Sequence, residues 1–241
     1  VSESEKRRAL RALAAGTVPA RYERNLAALD IEELRALLES SVAVIGLGGL
    51  GGHVVESLAR LGVGRILGVD PDRASESNLN RQILTTPDTL GESKARLAER
   101  RVQAVNPDVE FAGREQPFGE VERSAYSGCT LVFDCLDSIP ARLELEGLCG
   151  ELGCVLIHGA IAGWAGQVAV VPPGSGLLGR LYGTGRRGLE ESEGNLAFTA
   201  AVAANLMVAR AVPLLTAAPA PERGLVFVFD LRAWDWEIVE M

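Results

Sequence analysis

The chain has 241 residues, enough for one large α/β domain or two small ones. Its hydrophobic content of 47% with 23% charged residues is that of a globular protein, and a net charge of −8 argues against a general nucleic-acid or anionic-membrane surface. Four cysteines (Cys129, Cys135, Cys149, Cys154) sit in apolar runs with no Cys-x-x-Cys pair, so the sequence suggests neither a disulfide framework nor structural zinc, and a reducing cytosol fits best.

Residues 1–29 read as a helical arm of mixed charge, broken at Gly16 and Pro19, whose charged start lacks a secretory apolar core. The arm ends in Arg21-Tyr22-Glu23-Arg24-Asn25, two arginines beside an aromatic. Asp30 with Glu33 has the pattern of a capping box opening a helix over 31–39. Residues 30–241 then form one domain.

That domain opens with an apolar run at 42–45, typical of a buried strand. The run breaks into Gly46, Gly48, Gly49, Gly51 and Gly52. Val54, Val55, Leu58 and Leu61 follow at helical spacing, and a second apolar run ends on Asp70. Gly46, Gly48 and Gly51 fit the G-x-G-x-x-G spacing, in which glycine permits a tight turn and lets backbone approach a ligand. A helix starting near Leu50 directs its free N–H groups and positive dipole end at that space, which suits phosphate. Asp70 stands where a carboxylate can hold ribose hydroxyls. A nucleotide is therefore the first expectation.

Beyond Asp70 the chain is polar and charged, just past a strand's carboxyl end, the edge where open parallel sheets bind ligands. A helix is expected over 92–105, stopped by Pro107, then a short strand over 109–112. A buried strand over 130–133 runs into Asp134-Cys135-Leu136-Asp137, and Ser138 caps a helix reaching Leu152. Strands follow at 154–157 and, antiparallel, at 164–171. Residues 172–194, rich in Gly, Pro and charge, read as a mobile loop or lid. The segment 196–220 is apolar, but Asn205, Arg210 and Pro213 interrupt it, so a buried or interface helix is expected rather than a membrane span. Residues 225–229 and 234–239 read as a closing hairpin. The expected fold is α/β: a Rossmann-like, mostly parallel sheet with helices on both faces and an antiparallel C-terminal extension.

The motifs GLGGLG, VDPD ending at Asp72, SNLNRQ (77–82), GESK (91–94), Asn106-Pro107 and DCLDS (134–138) occur in one order. Together with RYERN they resemble the ThiF/MoeB/HesA family, bacterial relatives of ubiquitin-activating enzymes, from about Arg21 to Thr216. The resemblance implies an adenylyltransferase that binds ATP and Mg²⁺ and activates the C-terminal Gly-Gly carboxylate of a small ubiquitin-like protein, often a sulfur carrier. It implies nucleotide contacts from Gly46, Gly48, Gly49, Gly51, Asp70, Asp72 and Asn78, with Arg81 and Lys94 as cations on the triphosphate. Asp137 resembles the family's metal-binding aspartate, and Arg24 the arginine that reaches into the partner's site of a homodimer.

The sequence departs from the family at Ser138, where Asn is usual, and at Pro71, in place of phenylalanine. The family's paired Cys-x-x-Cys zinc ligands are missing, and 172–194 contains no cysteine for a thioester or persulfide; Cys149 and Cys154 read as packing residues. His53 and His158 read as structural. Three alternatives remain at this stage. A tRNA threonylcarbamoyl-adenosine dehydratase-like enzyme shares the SNLNRQ-like segment, but the acidic balance disfavours it. An NAD-dependent oxidoreductase would have no use for Arg81, Lys94 and Asp137 together. A partner-binding module could retain the nucleotide pocket without catalysis. No membrane partner is expected, nucleic acid is disfavoured, and the cytoplasm is the expected location.

Overall fold

The structure, a computed structural model, describes residues 4–183, 190–219 and 222–241. Among these residues one sheet of eight strands runs through the molecule in the order β3-β2-β1-β4-β5-β6-β7-β8. The strands are β1 (Ser41–Ile45), β2 (Arg65–Val69), β3 (Glu110–Arg114), β4 (Leu131–Asp134), β5 (Val155–Ala162), β6 (Ala165–Val171), β7 (Leu225–Asp230) and β8 (Asp235–Glu240). The first five pair in parallel, and β6, β7 and β8 add antiparallel. This is the expected sheet with its antiparallel extension.

The helices are α1 (Glu5–Ala14), α2 (Ile31–Glu39), α3 (Gly49–Leu61), α4 (Lys94–Val105), α5 (Ile139–Leu152), α6 (Leu177–Tyr182), α7 (Glu190–Glu193) and α8 (Ala197–Thr216). Successive strand side chains point to opposite faces, so each central strand feeds two cores. Val42, Val44, Leu131, Phe133 and Ile157 pack with α3, α4 and α8. Ala43, Ile45, Val132 and Leu156 pack on the other face with Leu145 and Leu148 of α5 and Leu177 and Leu178 of α6. Both faces being covered explains why the central strands read as unbroken apolar runs rather than alternating ones.

Local chemistry sets the boundaries. Asp30 accepts from the Glu33 N–H at 2.8 Å while the Glu33 side chain accepts from the Asp30 N–H at 2.8 Å, closing the expected capping box. Ser138 caps α5 through the Ala141 N–H, and Gly62 and Gly153, both left-handed, end α3 and α5. The arm is helical only in α1; residues 20–25 form a 3₁₀ turn. It packs on α2 through Ala9, Leu13, Tyr22, Leu34 and Leu38, and Tyr22 donates to Asp108 at 3.1 Å.

One expectation changes. Within the segment read as a loop or lid, residues 190–193 form the short helix α7 and residues 177–182 form helix α6, the latter because Leu177 and Leu178 are fully buried under the sheet. Residues 184–189 of that segment lie outside the described residues. The apolar stretch near the C-terminus is α8, long and apolar enough to cross a bilayer by length and composition. Its face carrying Ala200, Ala203, Ala204, Met207 and Ala211 is fully buried in the core.

Candidate active site

Strand order reverses between β1 and β4: β2 and β3 lie to one side, β5 onward to the other. The carboxyl ends of β1 and β4 therefore diverge and leave a crevice, where ligands bind in open α/β sheets. Three loops meet there, after β1, β2 and β4, around a cleft of about 680 Å³.

The first loop is the glycine turn. Gly46 has φ 88°, and a Cβ on it would stand 2.6 Å from the Cys135 carbonyl oxygen. A Cβ on Gly51 would stand 1.8 Å from the Gly46 carbonyl oxygen. These glycines let the chain turn back on itself and start α3 directly behind β1. Gly48 caps α3 without a side-chain hydrogen bond, so the first amides of the helix face the cleft uncovered. Gly46, Gly48 and Gly49 line the cleft; Gly51 serves packing beneath it.

The second wall follows β2. Asp70 is buried and spends both carboxylate oxygens on backbone: one accepts from the Leu47 N–H at 2.7 Å, the other from the Asp72 N–H at 2.8 Å. Burial pushes its carboxyl above the ordinary range, against the pull of Lys94 and the two amides. Asp72 is the more open acid, with its side chain 66% exposed, and Lys94 donates to it at 2.8 Å while lying 3.9 Å from Asp70. Arg81 lines the cleft with Nη1 held by the Ser77 carbonyl and Asn80, leaving Nε and Nη2 without partners among the described residues. Arg81 forms no ion pair with Asp72 or Asp88 among the described residues; Lys94 takes Asp72.

The third wall is the turn after β4, where Leu136, Asp137 and Ser138 line the cleft. Asp137 is exposed, and among the described residues no hydrogen bond or ion pair occupies its side chain. The described residues contain no cluster of three or more His, Cys, Asp or Glu suited to a metal. A lone free carboxylate beside a phosphate cradle nevertheless fits Mg²⁺, which takes one or two carboxylates and completes its shell from substrate phosphates and water.

The cleft thus gathers Gly46, Gly48, Gly49, Asp70, Asp72, Arg81, Lys94 and Asp137. Three expected residues are not among its lining: Gly51, which packs beneath it, Asn78 and Arg24. Asn78 is buried and accepts from the Ser75 N–H at 3.1 Å, bracing the turn that carries Arg81. Arg24 is exposed on a separate groove of about 670 Å³, shared with Asn25, Glu33 and the end of α8.

Sequence reasoning missed Gln82, Phe118, Arg142 and Asn195, all of which line the cleft. Gln82 closes the SNLNRQ motif and was legible there. Phe118 lies in a 3₁₀ turn with no periodicity, and Arg142 reads as one more helix arginine. Cys135 also lines the cleft, and burial and the neighbouring Asp134 hold its thiol well above the ordinary value, which disfavours the thiolate.

Comparison with known proteins agrees with this geometry. The chain is 32% identical over 105 residues to the sulfur carrier protein ThiS adenylyltransferase of Escherichia coli, covering 43% of this chain and 42% of that protein. It is 34% identical over 173 residues to the sulfur carrier protein adenylyltransferase of Thermus thermophilus, covering 67% of this chain and 64% of that one. The matches span less than two thirds of either relative's length. Among solved structures, E. coli MccB with MccA-N7isoASN superposes with a TM-score of 0.76 over 92% of this chain and 71% of that one, at 18% identity, a likeness of fold. The sequence model of the ThiF family matches residues 22–241, and the chain belongs to that family.

Proposed function

We propose that the chain is an adenylyltransferase that uses ATP and Mg²⁺ to activate the C-terminal Gly-Gly carboxylate of a small ubiquitin-like protein of the sulfur-carrier kind. The observation that carries this reading is the convergence of Arg81 and Lys94, from the connection after β2, and Asp137, from the turn after β4, on the cleft that holds the glycine turn. The names of the two relatives, both sulfur carrier adenylyltransferases, support the substrate class.

In the reaction a carboxylate oxygen of the tail forms a bond to the α-phosphorus. The bond from that phosphorus to the bridging oxygen breaks, and pyrophosphate leaves with the electron pair. The product is an acyl-adenylate. A negative nucleophile meets a negative electrophile, so the protein's task is charge screening and alignment rather than supply of a nucleophile. The uncovered amides at the start of α3 receive phosphate oxygens. Arg81 offers its two unpaired nitrogens to the triphosphate, and Lys94 a second cation. Asp137 would hold Mg²⁺, which supplies charge neutralisation when bound. The roles within the acidic pair divide: Asp70 fastens the glycine turn, and Asp72 takes the ribose hydroxyls. Phe118 and Leu136 offer apolar surface for the base. Asn78 acts through the turn it braces.

Arg24 lies away from this cleft within its own chain, which supports a homodimer in which the arm serves the neighbouring site. The cytosol supplies ATP and suits the four free cysteines. The test is ATP–pyrophosphate exchange with purified chain, Mg²⁺ and a Gly-Gly-ending carrier. Exchange that depends on the carrier supports the reading. Exchange with tRNA but not with any carrier would favour the dehydratase, and nicotinamide reduction without exchange would favour an oxidoreductase.

A further inference from the structure

A closed ring of buried and half-buried polar groups lies behind the Asp137 turn. Leu136, the residue before Asp137, has both backbone groups held by side chains. Asp134 accepts from its N–H at 3.0 Å. Arg142 grips its carbonyl with Nε at 3.1 Å and Nη2 at 2.8 Å. The third arginine nitrogen, Nη1, donates to the Tyr182 hydroxyl at 3.1 Å, and the guanidinium carbon lies 5.6 Å from the centre of the tyrosine ring. Gln167 also donates to that hydroxyl, at 2.7 Å. With two donors pointing at it, the hydroxyl directs its own proton to His158 Nε2, 2.9 Å away. His158 Nδ1 then donates to Asp134 at 2.7 Å, and the ring closes.

Asp134 and His158 are wholly buried, Arg142 is 3% exposed, and burial pushes the Tyr182 hydroxyl up to about 12. Asp134 and His158, the carboxylate and imidazole of the ring, are sealed from solvent, so the ring is not a catalytic triad. Nor is its retention explained by stability alone, since buried charges in polar networks are often no more stable than apolar packing of the same volume. Its geometry has one outlet, the peptide that carries Asp137. Tyr182 ends α6, and Glu146, one helical turn beyond Arg142 on α5, accepts from the Leu178 N–H at 3.0 Å at the other end. Helix α6 is thereby fixed at both ends to the helix that starts at the Asp137 turn.

We propose that Arg142 and Tyr182, anchored by His158 and Asp134, are positioning residues that hold the Leu136–Asp137 peptide so that the Asp137 carboxylate meets Mg²⁺ on the bound nucleotide. This rests on the nucleotide reading of the cleft. Groups that orient a metal's ligand change metal affinity by about 10-fold or more when lost.

The test is calorimetric titration of ATP, with Mg²⁺ and with chelator, into wild type, Tyr182→Phe, Arg142→Lys, Asp137→Ala and the Tyr182→Phe/Asp137→Ala double variant. Tyr182→Phe keeps the ring packing and removes one hydroxyl, which guards against misfolding of the arginine variant. The expected result is that Tyr182→Phe and Arg142→Lys lose about 10-fold of the Mg²⁺-dependent gain in ATP affinity, with the metal-free affinity of Tyr182→Phe within about twofold of wild type. In the Asp137→Ala background, Tyr182→Phe adds no further loss, because the two act on one ligand. Folded variants that keep the full Mg²⁺ gain, even with a lower melting temperature, would overturn the proposal alone. A wild-type chain that binds no ATP would remove the nucleotide reading and the proposal with it.

Discussion

At the scale of single residues, chemistry in the cleft is concentrated in a few side chains whose partners are few. Asp137 is exposed with no partner among the described residues, so its removal costs the fold little. Asp137→Ala is expected to abolish ATP–pyrophosphate exchange with an unchanged melting temperature; surviving exchange would remove the metal assignment. Arg81→Ala is expected to slow exchange by ~10²-fold or more, as for loss of one transition-state donor; a change of a few-fold would make Arg81 a brace for Ser77 and Asn80. These residues were legible because they sit in short motifs directly after strand ends. What the sequence could not show was how the acids divide their work. Asp70 and Asp72 look alike in the string, yet one is sealed under the glycine turn and the other carries the open carboxylate. That difference depends on which backbone amides lie within reach, and so on the turn's three-dimensional course. Arg142 and Tyr182 were invisible for the same reason: 40 residues separate them in the chain, and only the stacking of α6 on α5 joins them.

At the scale of elements, the central β-α-β unit was readable because periodicity, caps and glycines agreed. Its tightest point is Gly51, where a Cβ would stand 1.8 Å from the Gly46 carbonyl oxygen. Gly51→Ala is expected to destabilise the chain by about 1–3 kcal/mol or more, the cost of overpacking, and to weaken ATP binding; thermal unfolding and nucleotide titration check both. Helices α3 and α4 are joined by Glu56, which accepts from Arg101 at 2.7 and 2.9 Å and from Arg60 at 2.8 Å. Burial alone would raise the Glu56 carboxyl, but the two arginines hold it below the ordinary value. The stability it contributes is therefore present above the ordinary carboxylate range and lost as pH falls through its folded value. Glu56→Gln is expected to cost about 1 kcal/mol at neutral pH, the arginines being partly exposed, and progressively less in acid; denaturant melts across pH check the sign. Helix α6 escaped prediction because six residues bounded by glycines carry too little periodic signal. Its formation depends on Leu177 and Leu178 finding the sheet, a tertiary effect.

At the scale of the whole molecule, the parallel half of the sheet builds the cleft, and the antiparallel half leaves a broad apolar surface. Trp234, Trp236 and Ile238 are 84%, 65% and 66% exposed on and beside β8. The fold class was legible from alternating strands and helices, and the closing hairpin from its aromatics. Assembly entered only through the family resemblance carried by Arg24, because partner surfaces leave no periodic mark. If Arg24 serves the neighbouring subunit's cleft, Arg24→Ala and Asp137→Ala chains, each inactive alone, should recover up to about a quarter of wild-type exchange when mixed and reassembled. No recovery in verified mixed dimers would place Arg24 outside the reaction. The central claim is that three loops grip one triphosphate, and an experimental structure of the chain with a non-hydrolysable ATP analogue and Mg²⁺ tests it most directly. The account predicts phosphates over the start of α3, with Arg81 and Lys94 in contact with their oxygens and Asp137 on the metal. A nucleotide seated elsewhere, or a triphosphate pointing away from all three side chains, would contradict it.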